Sequence, residues 1–442
     1  MKILIITHEF PPLNTIGAQR PYSWAKYWNR MGHDVKVITT QKEPIDGFLN
    51  KNFDYSQLSN VEIKEIEYLP DFLKAKKSFG QENDFLFTSS KSAKSDCIEN
   101  LKRISKIIRA SIGIGSLLSI RNLWIKPALK EVQELYQEWK FDCVVSTHGP
   151  PAPHIIAGIT KRKLDIFWVA DYRDLWSQTH YLGTKFPFSV LQKLIESFFI
   201  SQADFLTTVS DPLNKKLNTQ FGKHVFTIEN GFDIEEVLSL EQKAFPKDAK
   251  IRLIYTGTIR RSQQNTEPFL KALYLLNQKR DGLQKELEVL FYGFQLGDVA
   301  KQIQKYSLCS FVKIPKALSH QEILTIQRSV NGLLFFDWED ISYEGILTGK
   351  IFEYMYAGVP ILVLGKSSKT AAARLVCESG TGIFIGNSPE NISQYIDNIL
   401  NQEHIVYSPS KEVLSRYTRE KLAKKMLQAI IEAQQKKVFH ET

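Results

Sequence analysis

GILTGKIFEYMYAGVPILVLG, from Gly345 to Gly365, decides how the chain is read. It is a glycine-bearing loop, a short helix from about Lys350 to Ala357, a stop at Gly358 and a buried strand from Pro360. Gly358 suits the left-handed cap of a helix, and Pro360 forbids its continuation. The helix start presents the backbone N–H groups of Gly349, Lys350 and Ile351 without partners inside the helix. Such an end attracts anions, and Lys350 adds a full charge there. Glu353 follows Lys350 by three residues, so both leave the same face. That face offers donors to a phosphate and a carboxylate to sugar hydroxyls; the spacing also fits a solvated surface pair.

Working outward, a strand–helix rhythm surrounds this block. Strands are expected at Ile251–Thr256, Leu287–Tyr292, Phe311–Ile314, Gly332–Phe336, Pro360–Gly365 and Gly382–Ile385. The first runs into TGTIRRSQQNTEP, where Gly257 makes the turn and Arg260 and Arg261 supply charge. This is a second anion-friendly place in the same domain, although a solvated arginine pair has the same pattern. Ser408 to Lys437 reads as one long amphipathic helix.

The first half repeats the rhythm. Strands are expected at Lys2–Thr7, Asp34–Thr39, Asp142–Thr147, Ile166–Asp171, Phe205–Val209 and Val225–Ile228. The loop HEFPPLNTIGAQRP carries a single glycine, Gly17, which is not the dinucleotide fingerprint. Two strands end in polar residues at the sheet's carboxyl edge, where ligands bind in open α/β sheets. One gives STHGPPAPH with His148 and His154; the other gives ADYRDLW with Asp171, Arg173 and Asp174. A structural ion pair among these last three is the alternative. From about 71 to 130 the rhythm is lost in a basic segment, with Lys74 and Lys126 near its ends. That stretch, about 74–126, suits an anionic membrane surface, or a helical insertion turning lysines to water.

A chain of 442 residues exceeds one hydrophobic core, and the turn IENGFD marks a hinge. We expect residues 1–240 as one domain with the basic insertion, 241–410 as a second, and 411–442 as a helix returning to the first. Four scattered cysteines, without metal spacing, argue for a reducing compartment and against a zinc site or disulfide framework. No signal peptide or membrane-spanning run is read, so a cytoplasmic protein is expected. A net charge of +9 favours anionic partners, but no nucleic-acid motif is present.

GKIFEYMYAGVPIL resembles the donor-binding signature of GT-B glycosyltransferases of family 4 type. HEFPP with RMGHDVKVIT, ADFLTTVSDPL, IENGFD and YTGTIRR support the likeness, and ADYRDLW is similar to a subgroup associated with bacterial surface-polysaccharide assembly. The resemblance implies an α/β protein of two Rossmann-like, doubly wound domains facing a central cleft. It implies a retaining transferase that moves a sugar from a nucleotide diphosphate to a glycan or lipid-linked acceptor, with no cofactor and no catalytic metal. By that likeness Glu353 holds the donor ribose, and Arg260 or Arg261 with Lys350 neutralise the departing diphosphate. Gly17 lets the N-terminal loop close on the donor, and Asp171, Arg173 or Asp174 faces the sugar and acceptor. The motif's first glutamate falls on Gly345; Glu344 stands one residue early. A nucleotide-sugar epimerase or hydrolase, or a non-catalytic partner of the same fold, is the alternative.

Overall fold

The computed structural model describes the chain except residues 14, 44–45, 47–48, 51–52, 71–115, 117–118, 179–183, 239–244, 246–247, 249, 261–262, 295, 317, 340–344, 346, 402–405 and 442. Most of the basic stretch at about 74–126, together with Arg261 and Glu344, therefore lies outside the described residues.

The described chain divides into two compact units. One comprises Met1–Val209, Leu213–Ile228 and Ala423–Thr442; the other comprises Ser210–Pro212 and Glu229–Leu422. Each is built on a parallel sheet. The first sheet contains β1 (Lys2–Ile6), β2 (Asp34–Thr40), β3 (Glu62–Ile66), β4 (Cys143–Thr147), β5 (Phe167–Tyr172), β6 (Phe205–Thr208) and β7 (Val225–Thr227). Their order across the sheet is β3-β2-β1-β4-β5-β6-β7. The second contains β8 (Ile251–Thr256), β9 (Leu287–Tyr292), β10 (Val312–Lys313), β11 (Gly332–Phe336), β12 (Ile361–Leu364) and β13 (Gly382–Phe384), in the order β10-β9-β8-β11-β12-β13. Both are doubly wound, and in each the strand order reverses at one point. That point lies between β1 and β4 in the first sheet and between β8 and β11 in the second, where such sheets bind ligands.

These residues make strands because both sheet faces are covered. Val, Ile, Leu and Phe run almost unbroken through β1, β11 and β12, and every residue of β4, β5, β6, β11 and β12 is buried. Each such apolar side chain contributes roughly 1.5–3 kcal/mol when taken out of water. β3 escapes the sequence reading because it is an edge: its Glu62 and Lys64 point outward, Glu62 pairing with Lys36 at 2.6 Å and Lys64 with Glu131 at 2.7 Å.

The C-terminal stretch departs from expectation. In place of one helix there are two, Lys411–Arg416 and Arg419–Glu441. Between them Phe232 N–H donates to Tyr417 O at 3.0 Å, and Arg419 N–H donates to Phe232 O at 2.8 Å. This strand-like exchange takes backbone groups that a continuous helix would need. Beyond the break, Ala423 O accepts from the indole of Trp28 at 2.8 Å.

Candidate active site

In the second unit, β8 leads into Gly257, whose φ of +114° only glycine adopts without strain. The space beside it belongs to Lys350: a Cβ on Gly257 would stand 2.8 Å from Lys350 Nζ and 2.9 Å from its Cε. Lys350 lies over the Tyr255 ring, 3.8 Å from its centroid, and donates to the Tyr255 hydroxyl at 2.6 Å. That hydroxyl donates onward to Thr258 O at 2.9 Å. The Gly349–Tyr356 helix is pinned a second time by its own Tyr354, whose hydroxyl accepts from Thr256 N–H at 2.8 Å. Burial pushes the Lys350 ammonium down to about 7, against the opposing charge of Glu353. Lys350 has no hydrogen-bond partner other than Tyr255 among the described residues, so a cation with three donors uses one.

Thr348 precedes this helix in extended conformation without capping it, and its buried hydroxyl has no partner among the described residues. The N–H groups of Gly349 and Lys350 remain at the open end. Ile351 does not: its N–H donates to Thr348 O at 3.1 Å, which removes it from the expected set. Tightening of the first turn is the physical reason. Glu353, one turn along, is half-buried and makes no hydrogen bond among the described residues, while its charge supports the Lys350 ammonium. Gly345 is explained by space, since a Cβ there would stand 2.6 Å from Pro212 Cβ.

Arg260 is exposed, with its guanidinium 5.8 Å from the Trp338 ring centroid. Its loop is tied to the end of β11 by Gln264, which accepts from Arg260 N–H at 3.2 Å and donates to Phe336 O at 2.7 Å. Asp337, just past β11, was not singled out from the sequence. Burial raises its carboxyl, which accepts from the Thr370 hydroxyl and, at 2.8 Å, from Trp338 N–H. An acid directly ending an apolar strand was the available signal.

In the first unit the charged strand end resolves into two pairs. Asp171 accepts from Arg20 Nε at 3.0 Å and Nη2 at 2.7 Å, from Thr147 Oγ1 at 3.0 Å and from Thr207 Oγ1 at 2.6 Å. Both Arg20 and Asp171 are buried. The expectation that Asp171 faces the sugar is therefore revised: four donors occupy its two oxygens, and it holds the Ile16–Arg30 helix to β5. Arg173 pairs with Glu9 at 2.6 Å and with Asp174 at 3.2 Å, so the arginine's partner across the sheet is one the sequence reading did not consider. Burial works to raise Glu9, but the Arg173 charge and hydrogen bonds from Arg173 and Thr15 hold it below the usual carboxylate range. Arg173 and Asp174 stay half-buried at the sheet's carboxyl edge.

Gly17 sits inside the first helical turn, behind the Thr15 cap, and does not form a loop tip. A Cβ there would fall 1.3 Å from Arg173 Nη1 and 1.8 Å from Glu9 Oε2. The glycine is required by the close approach of that ion pair. Gly149, with φ +113°, flanks the other side of Arg173, where an added Cβ would stand 2.6 Å from Nη2. His148 stacks near Tyr172 and Trp176 at centroid distances of 5.8 and 6.0 Å. Burial lowers it to about 4, against the charge and backbone of Asp174. His154 is occupied differently: its Nδ1 lies 2.8 Å from Ser146 Oγ, which also accepts from Trp168 Nε1 at 2.8 Å.

Two sites thus stand at the reversal points of two sheets. One is a cationic helix end with a half-buried carboxylate; the other is an edge bearing Glu9, Arg173, Asp174 and a neutral histidine. The Glycosyltransferase Family 4 model matches residues 93–236. No curated protein matches the sequence. The fold is similar to a glycosyltransferase from Rickettsia africae ESF-5, at 13% identity, covering 98% of each chain with a TM-score of 0.62. It is similar to a lipopolysaccharide outer core galactosyltransferase, at 10% identity over 98% of this chain and 99% of that one, TM-score 0.57. It is also similar to a UDP-GlcNAc 2-epimerase from Methanocaldococcus jannaschii, at 13% identity over 98% and 100%, TM-score 0.54. The family match spans about a third of the chain, and the two doubly wound sheets give the whole chain the GT-B fold of these structures.

Proposed function

We propose that the protein moves a sugar, with retention of configuration, from a nucleotide diphosphate to an acceptor in cell-surface polysaccharide synthesis. The acceptor is a glycan or a lipid-linked sugar at the cytoplasmic face of an anionic membrane, met in part through about residues 74–126. The observation that carries the reading is Lys350: a half-buried ammonium with one hydrogen bond, at an uncapped helix start beside Gly257.

Breaking the anomeric bond puts negative charge on the diphosphate and positive charge on the ring. Donors already aimed where that charge appears lower the barrier, because they need no rearrangement when the bond breaks. Lys350 and the N–H groups of Gly349 and Lys350 have that preorganised character, and Arg260 or Arg261 adds a further positive charge. Glu353 holds the ribose. Arg173 and Asp174 face the acceptor side, with Glu9 fixing the arginine; Asp171 positions these groups and touches no substrate.

Thermal stabilisation by UDP-, GDP- or ADP-sugars identifies the donor, since ligand bound to the folded state raises Tm by mass action. Glu353→Ala then abolishes transfer while the fold persists; unchanged turnover in that variant overturns the reading. Because the same fold serves a 2-epimerase, the donor is also incubated alone. An epimer or stoichiometric free sugar under those conditions favours the epimerase or hydrolase reading instead.

A further inference from the structure

The helix Phe188–Ile200 is built inside out. Its inward residues include Gln192 and Glu196, both buried. Gln192 donates to Trp176 O at 3.0 Å, while Glu196 accepts from the Tyr172 hydroxyl at 2.8 Å, Ser177 N–H at 3.1 Å and Gln220 Nε2 at 3.0 Å. Its outward residues are apolar. Val190, Leu194 and Phe198 recur every fourth position, hence on one face, and are 49%, 62% and 55% exposed. Leu191 widens the stripe, and Phe186 extends it past the helix start at 82% exposure. A helix on a water-facing surface ordinarily shows the opposite polarity. A continuous apolar stripe of this kind marks an interaction surface.

The rim of the stripe tells what covers it. Lys185 and Lys193 are exposed, and among the described residues neither pairs with a carboxylate. Arg162 lies over the Phe198 ring, 3.7 Å from its centroid. The helix's one acid, Glu196, is buried and faces inward, so the outward face carries only positive charge. Apolar side chains ringed by lysine and arginine complement the boundary between acyl chains and anionic headgroups. We infer that the Phe188–Ile200 helix, with Phe186, docks flat on an anionic lipid bilayer. The inference deepens the proposed function and rests on it for its purpose, since an acceptor anchored in lipid must be met at that surface.

The test is flotation of the full chain with vesicles of equal parts phosphatidylglycerol and phosphatidylcholine, against phosphatidylcholine alone. The protein floats with the anionic vesicles at low salt and not with the neutral ones. Phe186→Asp with Leu194→Asp lowers partitioning about tenfold or more, and Lys185→Glu with Lys193→Glu lowers it about tenfold. These side chains are exposed, so unchanged thermal melting shows that the variants fold. Failure of the wild type to float, or flotation of both double variants like the wild type, overturns the inference. So does a lipid-free dimer that the Asp variants convert to monomer, which would assign the stripe to a second copy. Turnover of donor onto a water-soluble acceptor is read in parallel: it persists in all variants if sugar transfer is correct, whichever way the vesicle result falls.

Discussion

Arg20 and Asp171, 151 residues apart in the chain, meet through two parallel hydrogen bonds of 3.0 and 2.7 Å where solvent does not reach. The pair joins the first helix to the middle of the first sheet, just below the edge that carries Arg173. Removing one partner leaves the other charge buried and uncompensated. Asp171→Ala is therefore expected to cost about 3–5 kcal/mol, read as a loss of denaturation midpoint. Asp171→Leu combined with Arg20→Met should cost clearly less than the sum of the two single changes.

Gly17 tests the neighbouring pair. An alanine methyl cannot share space with the Arg173 guanidinium, so Gly17→Ala should cost roughly 1–3 kcal/mol through forced displacement. The cost should shrink in an Arg173→Ala background, because the obstructing group is gone. Equal costs in the two backgrounds, measured by urea denaturation, would contradict the packing described.

On the proposed function, Lys350 gives diphosphate binding a pH signature. Its ammonium holds its proton only to about 7 in the folded protein, whereas an ordinary lysine holds it to about 10.4. A bound diphosphate favours the charged form and raises that value. Binding above pH 7 should therefore take up a proton, and affinity should fall as pH rises from 7 to 9. Calorimetry of UDP, GDP or ADP in buffers of different ionisation enthalpy measures the uptake. Lys350→Met should abolish it along with most of the affinity.

His148 predicts the opposite flank. Burial holds it neutral down to about 4, while an unfolded histidine takes a proton near 6.5. The unfolded state binds more protons between these values, so the folded state loses stability as pH falls through 6.5 towards 4, by up to about 3 kcal/mol. His148→Gln should lose less stability between pH 7 and pH 5 than the wild type, as followed by denaturant midpoint.

The frame of the molecule was readable where burial on both sides leaves a continuous apolar run. Ile251–Thr256, Leu287–Tyr292 and Gly332–Phe336 match the expected strands residue for residue. Edges were not readable in this way: Glu62–Ile66 alternates charges, and its strand character depends on pairing with β2. The break at Tyr417–Thr418 was invisible because its cause, Phe232, lies far off in sequence. For the site, Lys350 and Gly257 were each legible as turn and helix-end chemistry, and the structure brings their atoms together. Glu9 and Arg20 were not, because ion partners across a sheet follow from strand order and leave no local pattern.

Gly293 carries a consequence for anyone reshaping donor preference. With φ +155°, it lies so near the neighbouring turn that a Cβ would fall 2.0 Å from Gly257 O. The connections leaving β8 and β9 thus rest backbone on backbone and shift as a single piece. Libraries that randomise either glycine would be filled with misfolded members. Diversity is better spent on Thr258 and Phe294, whose side chains are exposed.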